Sequence, residues 1–553
     1  MSDAPTTFEP KDFVRKELLN SLAFVFPPKA EIQQLKKWLA DALELSPEES
    51  QEVEFVGGEP AAEAEEYLAA CMRVTCLVLQ QGRMPLFDTP EIRNFAPIEG
   101  GQNKYAVDAV FKELRAIPGE HFTLAVRSSF EICQFMSTRP DSAENRIRVY
   151  RHIQKAAARV AMPGGQSTVP VLRVAHAMGI PIEHLGGGVY QLGWGSKARR
   201  LDRSSSGKDS AIGARLSNNK VATALMLRSS GMPVPVHVAV KSVDRALSFA
   251  DRIGFPLVVK PADRDRGEGV TVDVTAEEQL RTAFNSAQKL SESKRVILEK
   301  QVEGVCHRLF IANDRLLYAV KRWPMGVHGD GQHTIAQLVD REVQLQASRP
   351  PWVRSKIKPL DEMAEQALAQ AGFSSESVPE EGVLAPLRRI ESTQWGGIDE
   401  EVTDQVHPDN EEVAIRAARL FGLQVAGVDI ICSDISTPWH ECDAIINEVN
   451  YAPLFGGGEI SRRAIPAFFE TFIDGNGMIP VELFNSDQVT EAKNRQRELS
   501  RQGVRCYFTS GTETLDPGGE KLWINGSSAQ DRTWALLLMQ DTDAVVVLMD
   551  RPR

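Results

Sequence analysis

The chain has 553 residues, of which 42% are hydrophobic and 25% charged, which is typical of a globular protein with roughly three or four domains. Its formal net charge of −12 argues against a general nucleic-acid binder, because binding to phosphate backbones needs a basic surface. No stretch approaches the roughly 20 apolar residues that span a bilayer, and the polar first residues do not read as a signal peptide. The seven cysteines are scattered and form no paired CxxC pattern, which predicts reduced thiols. We therefore expect a cytoplasmic protein with no membrane and no nucleic-acid partner.

The first half of the chain predicts two αβ segments. Residues 1–160 read as an αβ domain with helical periodicity over 28–45 and 61–80, and they contain no motif that carries chemistry. Residues 161–215 read as a compact αβ unit: a helix over 169–178, a short strand over 180–182 and the apolar strand VYQLGWG. A basic run follows, which is either a solvated face or a positive rim that steers anionic ligands.

The second half predicts a larger and a smaller αβ segment. Residues 216–480 contain helices over 218–230, 243–253 and 276–290, with the strands FPLVVK, VTVDV and RVILEK between and after them. The runs RLFIA and RLLYAVKR are joined by Asn313-Asp314, a hairpin signal. Residues 481–553 contain a helix over 489–502, a strand over 504–509 and the apolar strand AVVVLM.

One glycine loop follows an apolar strand that ends in a lysine. The segment LVVKPADRDRGEGVTV places Lys260 at the end of the strand, and Arg266, Gly267 and Gly269 in the loop. Glycines without a Cβ let backbone N–H groups approach a phosphate, and the two cations could neutralise its oxygens. The pattern alone is equally typical of an ordinary glycine hairpin.

Glu299 stands near the end of the apolar strand VILEK, in the next predicted strand along the chain. A strand end of this kind can offer backbone groups to the edge of an adenine ring. Lys260 and Glu299 are therefore expected on neighbouring strands, with a nucleotide between them.

Three oxygen-bearing side chains occur in two long apolar strands. Asp429 lies in VAGVDII, and Glu448 and Asn450 lie in AIINEVNYAP, two residues apart and so on one face of the strand. A buried carboxylate is costly unless it is paired or binds a metal, and no basic residue lies within these strands. Such a set suits Mg²⁺, which typically has few protein ligands; an ion pair with a basic residue is the alternative.

Together these segments resemble the ATP-grasp superfamily of carboxylate–amine ligases, and within it the ATP-grasp half of the cyanophycin synthetases. The resemblance is carried, over about residues 160–475, by SNNKVATALMLRSSGMPVP, FPLVVKPADRDRGEGVTVDV, VILEKQVEGVCHRLFIANDRLLYAVKRWP, VHGDGQHTI, WGGID, AGVDII and NEVNYAP. It implies an α+β protein whose ATP-grasp fold has two αβ subdomains that grip ATP. An αβ N-terminal domain and a short αβ C-terminal segment are expected on either side.

The resemblance also implies a role for each matching residue. Lys220 and Lys260 are implied to hold the phosphates of ATP under a lid formed by Gly267 and Gly269, and Glu299, Lys300 and Val302 to form the adenine hinge. Asp429, Glu448 and Asn450 are implied as magnesium ligands. Arg308 and Arg322 are implied near the transferred phosphate, and Gly396 and Gly397 in a turn beside the acyl phosphate.

Two departures from the family pattern bear on the substrates. Cys306 stands where the family has an acid that bonds the ribose hydroxyls, and Gln394-Trp395 precede the glycine turn where small hydroxyl residues are usual. The first departure predicts a different nucleotide affinity or choice, and the second predicts a different carboxyl substrate. Residues 481–553 resemble the start of a Mur-ligase-like half without its P-loop, so we expect a truncated remnant without a second ligase activity.

The function implied is an ATP- and Mg²⁺-dependent ligase that forms an amide bond between a carboxylate and an amine, with amino acids or small peptides as substrates and possible assembly into a homo-oligomer. Two other hypotheses stay open at this point. One is a catalytically silent nucleotide-binding scaffold or regulatory protein, and the other is a polymerase that extends a peptide repeatedly.

Overall fold

The structure is a computed structural model that describes residues 17–25, 27–44, 53–56, 62–88, 90–99, 104–112, 117–264, 267–355, 357, 359–389, 391 and 396–549. Its contacts divide the chain into two compact units. The first unit comprises Met1–Gly207, Leu454–Gly457 and Ile465–Arg553, and the second comprises Lys208–Pro453 and Gly458–Ala464. This division is coarser than the four segments expected from the sequence, which stay a prediction.

The N-terminal part of the first unit contains two sheets and five helices among the described residues. Its elements are β1 (Glu17–Val25), α1 (Lys29–Ala42), β2 (Glu54–Val56), α2 (Ala62–Gln81), β3 (Glu91–Pro97), β4 (Lys104–Lys112), α3 (Gly119–Thr138), α4 (Ala143–Arg159), α5 (Thr168–Ala177), β5 (Ile182–Gly186), β6 (Val189–Leu192), β7 (Arg199–Asp202) and β8 (Ser205–Ser206). The sheet orders are β1-β4-β3-β2 and β5-β6-β7-β8. A short 3-10 turn, Gly195–Lys197, lies between β6 and β7.

The second unit contains the segments that carry the predicted site. Its elements are α6 (Ala211–Ser217), α7 (Lys220–Ser229), β9 (His237–Val240), α8 (Val243–Ile253), β10 (Leu257–Pro261), β11 (Thr271–Val274), α9 (Glu277–Leu290), β12 (Val296–Lys300), β13 (Val305–Ala312), β14 (Arg315–Trp323), β15 (Gly326–His328), α10 (Ile335–Ser348), α11 (Glu362–Gln370), β16 (Leu384–Pro386), β17 (Ile398–Glu401), α12 (Pro408–Leu420), β18 (Val425–Cys432), β19 (Ile445–Tyr451) and α13 (Glu459–Arg463). A 3-10 turn, Thr403–Gln405, precedes α12.

Two antiparallel sheets organise this unit, each with an apolar face buried under helices. The smaller sheet has the order β11-β10-β12-β9, and its core includes Leu257, Val259 and Leu298 together with apolar residues of α8 and α9. The larger sheet has the order β17-β14-β13-β18-β19 and packs Val428 and Ile430 against α12. Because side chains alternate across a strand, every second residue of these strands points to the opposite face. That opposite face carries the candidate site.

The chain ends with a smaller αβ region that belongs to the first unit. Its elements are α14 (Ile465–Phe472), β20 (Val481–Phe484), α15 (Val489–Arg501), β21 (Cys506–Thr509), β22 (Thr514–Leu515), α16 (Ala529–Leu537) and β23 (Ala544–Leu548). The strands form a sheet in the order β20-β23-β21-β22. Within this unit the backbone N–H of Trp194 donates to Gly477 and that of Ser196 donates to Thr542, so the region packs beside the 3-10 turn after β6. In the part of the chain that the structure describes, no helix has both the length and the apolar character needed to cross a bilayer.

Most predicted elements are found with ends shifted by a few residues. The helix expected over 218–230 is Lys220–Ser229, and a separate helix, α6, precedes it. The strand expected over 180–182 begins only at its last residue and runs to Gly186, so this prediction was wrong in its bounds. Pro181, which lacks an N–H, immediately precedes the observed strand.

The predicted hairpin at Asn313-Asp314 is confirmed, since β13 and β14 pair as antiparallel neighbours on either side of it. Both turn residues have positive φ, 51° and 61°, a conformation that asparagine and aspartate tolerate better than other non-glycine residues.

We expect Asn313→Val to destabilise the second unit by roughly 1–2 kcal/mol, because a β-branched side chain is strained at positive φ. Urea denaturation measures the loss. Asn313→Gly is the matched control and should cost less, because glycine adopts this conformation readily. Equal losses for the two variants would contradict the role assigned to the turn conformation.

Candidate active site

One face of the larger sheet gathers most of the predicted catalytic and metal-binding residues. Asp429 on β18 lies opposite Arg308 on β13 and opposite Glu448 on β19, so the three stand in one row across neighbouring strands. Asn450 lies opposite Gly427 in the next row of the same face. Paired residues of antiparallel strands share a face, and this register brings the residues together.

Asp429 is held by a bidentate ion pair with Arg308. The Arg308 Nε donates to Asp429 Oδ1 at 2.7 Å and Nη2 donates to Oδ2 at 2.6 Å, and only 5% of the Asp429 side chain is exposed. Burial opposes the charge of Arg308, but the negative charge of Asp429 raises the pKa of the guanidinium overall. The sequence contains no basic residue within these two strands and left an ion pair as the alternative to a metal, and the structure shows such a pair. The arginine comes from the neighbouring strand, which is distant along the chain.

Glu448 is paired with Lys220, the first residue of α7. The Lys220 Nζ donates to Glu448 Oε1 at 2.8 Å, and the two side chains are 16% and 30% exposed. The Asn219 side chain caps α7 by accepting a hydrogen bond from the backbone N–H of Ala222. The helix therefore begins at Lys220, whose side chain contacts Glu448 on β19. Burial alone would raise the pKa of Glu448, but the positive charges of Lys220, Lys260 and Arg308 lower it below its usual value.

Asn450 adds a third oxygen-bearing side chain beside Asp429 and Glu448. Its Nδ2 donates to Asp429 Oδ2 and to the Gly427 carbonyl, both at 3.3 Å. Two carboxylates and an amide side chain are hard oxygen donors that fit Mg²⁺, which prefers such ligands and keeps several waters. Among the described residues no group of three or more His, Cys, Asp and Glu side chains is arranged to hold a metal ion. The assignment of Asp429, Glu448 and Asn450 as magnesium ligands stays a prediction.

Lys260 and Glu299 lie on neighbouring strands of the smaller sheet, β10 and β12, as predicted. They contact each other directly, with Nζ and Oε2 2.8 Å apart and side chains 8% and 11% exposed. The expectation of a nucleotide between them was therefore wrong for this arrangement. Strands that are hydrogen-bonded neighbours lie only about 4.8 Å apart, which leaves no room for a ring system between their side chains.

The predicted hinge after β12 is held mainly through its backbone. The backbone N–H of Lys300 donates to Val236 and that of Gln301 donates to Pro256. The Lys300 side chain donates to the carbonyls of Gly254, at 3.3 Å, and Phe255, at 2.7 Å, so its ammonium supports the preceding turn. Val302 is half-buried.

The predicted glycine lid connects β10 and β11. Gly267 and Gly269 have φ of 77° and 74°, which favours glycine at both positions. A Cβ at Gly269 would also stand 2.7 Å from Leu290 and 2.9 Å from Pro261, so the position has no space for a side chain. Arg266, the third residue assigned to this loop, lies outside the described residues.

Arg322 lies beside Cys306 on the same sheet face as the site, and Gly396 and Gly397 precede β17. Arg322 is paired in register with Cys306 and with Asp399, and its Nε is 3.6 Å from Asp399 Oδ1. Gly396 has φ of 87° and Gly397 is half-buried.

Glu391 is a neighbour of Cys306 and Arg322 that sequence reasoning did not single out. Burial raises its pKa, while a hydrogen bond with Cys306 and the charge of Arg322 act in the opposite direction. No strand or helix pattern surrounds this acid in the sequence, so no periodicity could have marked it. Cys306 itself is buried, and burial together with the negative charges of Asp429 and Glu391 raises the pKa of its thiol well above the usual range.

Comparisons with known proteins show what class of protein the chain is similar to. Residues 219–309 match the family described as carbamoyl-phosphate synthase L chain, ATP binding domain. The chain is 34% identical over 307 residues to the cyanophycin synthetase of Trichormus variabilis, which covers 55% of this chain and 34% of that protein. It is 32% identical over 401 residues to that of Synechocystis sp., covering 69% and 45%. It is 30% identical over 269 residues to the glutathione biosynthesis bifunctional protein of Mannheimia succiniciproducens, covering 46% and 35%.

The match to an ATP-binding domain and the identity with the cyanophycin synthetases show what class of protein the chain is similar to, namely the ligases of the ATP-grasp superfamily. Within that superfamily it is similar to the cyanophycin synthetases, although it spans less than half of the length of those relatives. The family match includes Lys220, Lys260, Glu299 and Arg308, and so covers the cations proposed for the phosphates.

Proposed function

We propose that this chain is an ATP-dependent ligase that activates a carboxylate as an acyl phosphate and joins it to an amine. A carboxylate oxygen attacks the terminal phosphorus, the bond to ADP breaks, and the amine nitrogen then attacks the acyl carbon. Phosphate leaves and the amine loses a proton to solvent. The products are an amide, ADP and phosphate. The reaction would run in the cytoplasm, where ATP is available.

The observation that carries this proposal is the cluster of Lys220, Lys260 and Arg308 around Asp429 and Glu448. Phosphoryl transfer depends on positioning and on neutralising charge more than on covalent help from the protein. The three cations would bind and orient the phosphate oxygens. Asp429, Glu448 and Asn450 would hold Mg²⁺, which when bound neutralises phosphate charge.

The substrate class proposed is amino acids or small peptides, with no nucleic acid. The names of the relatives, cyanophycin synthetase and glutathione biosynthesis protein, support this class. A silent scaffold is disfavoured because it has no need of both the phosphate-binding cations and the metal-type oxygen set. Repeated extension of a peptide remains a second candidate, since cyanophycin synthetases are among the relatives.

The experiment is a screen of paired carboxylates and amines for ADP release in the presence of ATP and Mg²⁺, followed by mass spectrometry of the products. We expect ADP release only when both substrates are present, and one added residue per product. A ladder of products would favour the polymerase. Nucleotide binding without ADP release for any pair would favour the scaffold.

We propose no covalent enzyme nucleophile, and variants of the cysteines test this part of the proposal. All seven are buried except Cys442, which is half-buried, and burial raises the pKa of Cys76, Cys432 and Cys506 to about 12. A thiol with such a pKa is not a thiolate at neutral pH and reacts poorly. We expect Cys442→Ala and Cys306→Ala to retain turnover within about threefold. Abolished turnover with intact ATP binding in either variant would contradict a mechanism without a covalent intermediate.

A further inference from the structure

The chain leaves the larger sheet after β14 and returns to it at β17, which pairs with the strand that the chain left. The described residues of this excursion, 324–397, have a core of their own, in which β15, β16, α10 and α11 bury Val327, Ile335, Ala385 and Leu368. Close-packed side chains leave few alternative arrangements, so this part of the chain has a defined shape. Both of its ends are joined to the larger sheet.

Arg389 is anchored near the end of this excursion. Leu387 is fully buried in the core, and the side chain of Arg388 is only 1% exposed. The Arg388 Nη1 and Nη2 donate to the two carboxylate oxygens of Asp361 at 3.1 and 2.8 Å. Two buried neighbours therefore hold the backbone just before Arg389. Its own side chain extends to the edge of the smaller sheet, where Nη2 donates to Asp273 Oδ2 on β11.

Asp273 stands in a β-bulge with an unusual backbone conformation. The pairing of β10 with β11 shifts register between Leu257 and Val259, so that Val272 and Asp273 lie opposite one residue of β10. A bulge at the edge of a sheet redirects the side chains that it carries. Asp273 has a φ of 52°, which is costly for a residue other than glycine. Such residues persist where their surroundings hold them, and they are frequent at sites of function.

Gln301, which follows β12, holds Asp273 from the side of the predicted hinge. The Gln301 Oε1 accepts from the backbone N–H of Asp273 at 2.7 Å, and its Nε2 donates to Asp273 Oδ1. One oxygen of the Asp273 carboxylate therefore contacts the hinge, and the other contacts the excursion. Because β11 begins two residues after Gly269, these contacts act on the strand that follows the glycine loop directly.

Resting on the function proposed above, we propose that Asp273 and Arg389 are positioning residues for the nucleotide. Their contact ties β11, and with it Gly267 and Gly269, to the excursion from the larger sheet, which carries Asp429. The N–H groups of a glycine loop bind phosphate well only if they are held at the right distance from the groups opposite them. The pair sets that distance through the backbone, and neither side chain is assigned a contact with the nucleotide.

The substitution Asp273→Gly separates positioning from stability. Glycine adopts a φ of 52° readily, so the variant should keep the wild-type urea midpoint or raise it, although the contacts with Arg389 and Gln301 are lost. Arg389→Met should also unfold near the wild-type midpoint, because the two side chains are 28% and 50% exposed and such pairs contribute little to stability. In each variant the fraction of chains with β11 in place should fall about fivefold, and the affinity for nucleotide should fall by the same factor.

The experiment uses the whole chain and two measurements. Amide hydrogen exchange, followed by mass spectrometry, reports how often β11 opens, and titration calorimetry measures binding of the β,γ-imido analogue of ATP in Mg²⁺. We expect Asp273→Gly and Arg389→Met to exchange faster in β11 and to bind the analogue about fivefold more weakly than wild type. Arg389→Lys keeps the charge and should stay within about twofold of wild type.

Lys294→Gly is the matched control. Lys294 also has a positive φ, 57°, and precedes β12 in the same sheet, but its ammonium contacts the carbonyls of Gln288 and Lys289. The control therefore makes the same relaxing change of backbone without touching the Asp273–Arg389 pair. It should leave both the exchange of β11 and the affinity for the analogue unchanged.

The outcomes separate this inference from the proposed function. Weaker binding by both variants at unchanged urea midpoints supports the inference. Unchanged exchange of β11, unchanged affinity, a lowered midpoint for Asp273→Gly or an equal loss of affinity in Lys294→Gly would each overturn it. If wild type binds the analogue but no substrate pair gives ADP release, the proposed activity fails and the binding comparison still decides the inference. No uptake of the analogue by wild type would overturn both.

Discussion

Glu448→Gln lowers the rate of ADP release with saturating substrates by roughly 10²- to 10³-fold, as loss of one fixed electrostatic contact to a reacting group does. The amide keeps the shape of the side chain but lacks the negative charge that the proposed magnesium site requires. Because the side chain is 30% exposed and its isostere still accepts from Lys220, the variant should unfold close to the wild-type midpoint.

The control for this prediction is Glu441→Gln, an exposed glutamate in the turn before β19. It should leave both turnover and unfolding unchanged. If Glu448→Gln turned over at the wild-type rate, Glu448 would not be a metal ligand, and the metal assignment of Asp429 and Asn450 would lose its main support.

Asp429→Asn should destabilise the larger sheet by about 3 kcal/mol, because it leaves the Arg308 guanidinium without its carboxylate in a mostly buried position. The free energy of opening of β18, measured by amide hydrogen exchange, and the urea midpoint should both fall. Turnover should also be lost, since the same carboxylate is assigned to the metal.

A double-mutant cycle with Arg308→Met isolates the pair. The combined loss in stability should be smaller than the sum of the two single losses, since the second change removes the uncompensated charge. The exposed pair of Arg463 and Glu401, with side chains 61% and 43% exposed, gives the comparison, and Arg463→Gln should cost less than about 1 kcal/mol. Strictly additive losses at Asp429 and Arg308 would show that the two side chains do not depend on each other.

Local sequence patterns were sufficient for the secondary structure around the site. The helix expected over 243–253 is found with those ends, and the hairpin at Asn313-Asp314 is found where two residues that tolerate positive φ interrupt two apolar runs. The two-residue spacing of Glu448 and Asn450 likewise placed them on one side of β19, because side chains alternate along a strand. These features depend on neighbours in the chain, and so they can be read from it.

The partners of the charged residues could not be predicted from local sequence patterns. The sequence left open whether Asp429 faces a metal or a basic side chain, and the order of the sheet places Arg308 directly beside it. It suggested space between Lys260 and Glu299, whereas adjacent strands bring them into contact. Glu391 lies near Cys306 and Arg322, although no pattern in the sequence marks it.

The sequence by itself therefore determined which residues lie at the ends and on each face of the strands. Strand propensity and the alternation of side chains along a strand depend only on residues that are near neighbours in the chain. The tertiary structure decided which cation meets which carboxylate. Strand order and register bring Arg308 beside Asp429, and the packing of α7 beside β19 brings Lys220 to Glu448, although each pair is more than a hundred positions apart in the chain. Those pairings depend on how the whole sheet and its neighbouring helix come together, and no local pattern of residues specifies them.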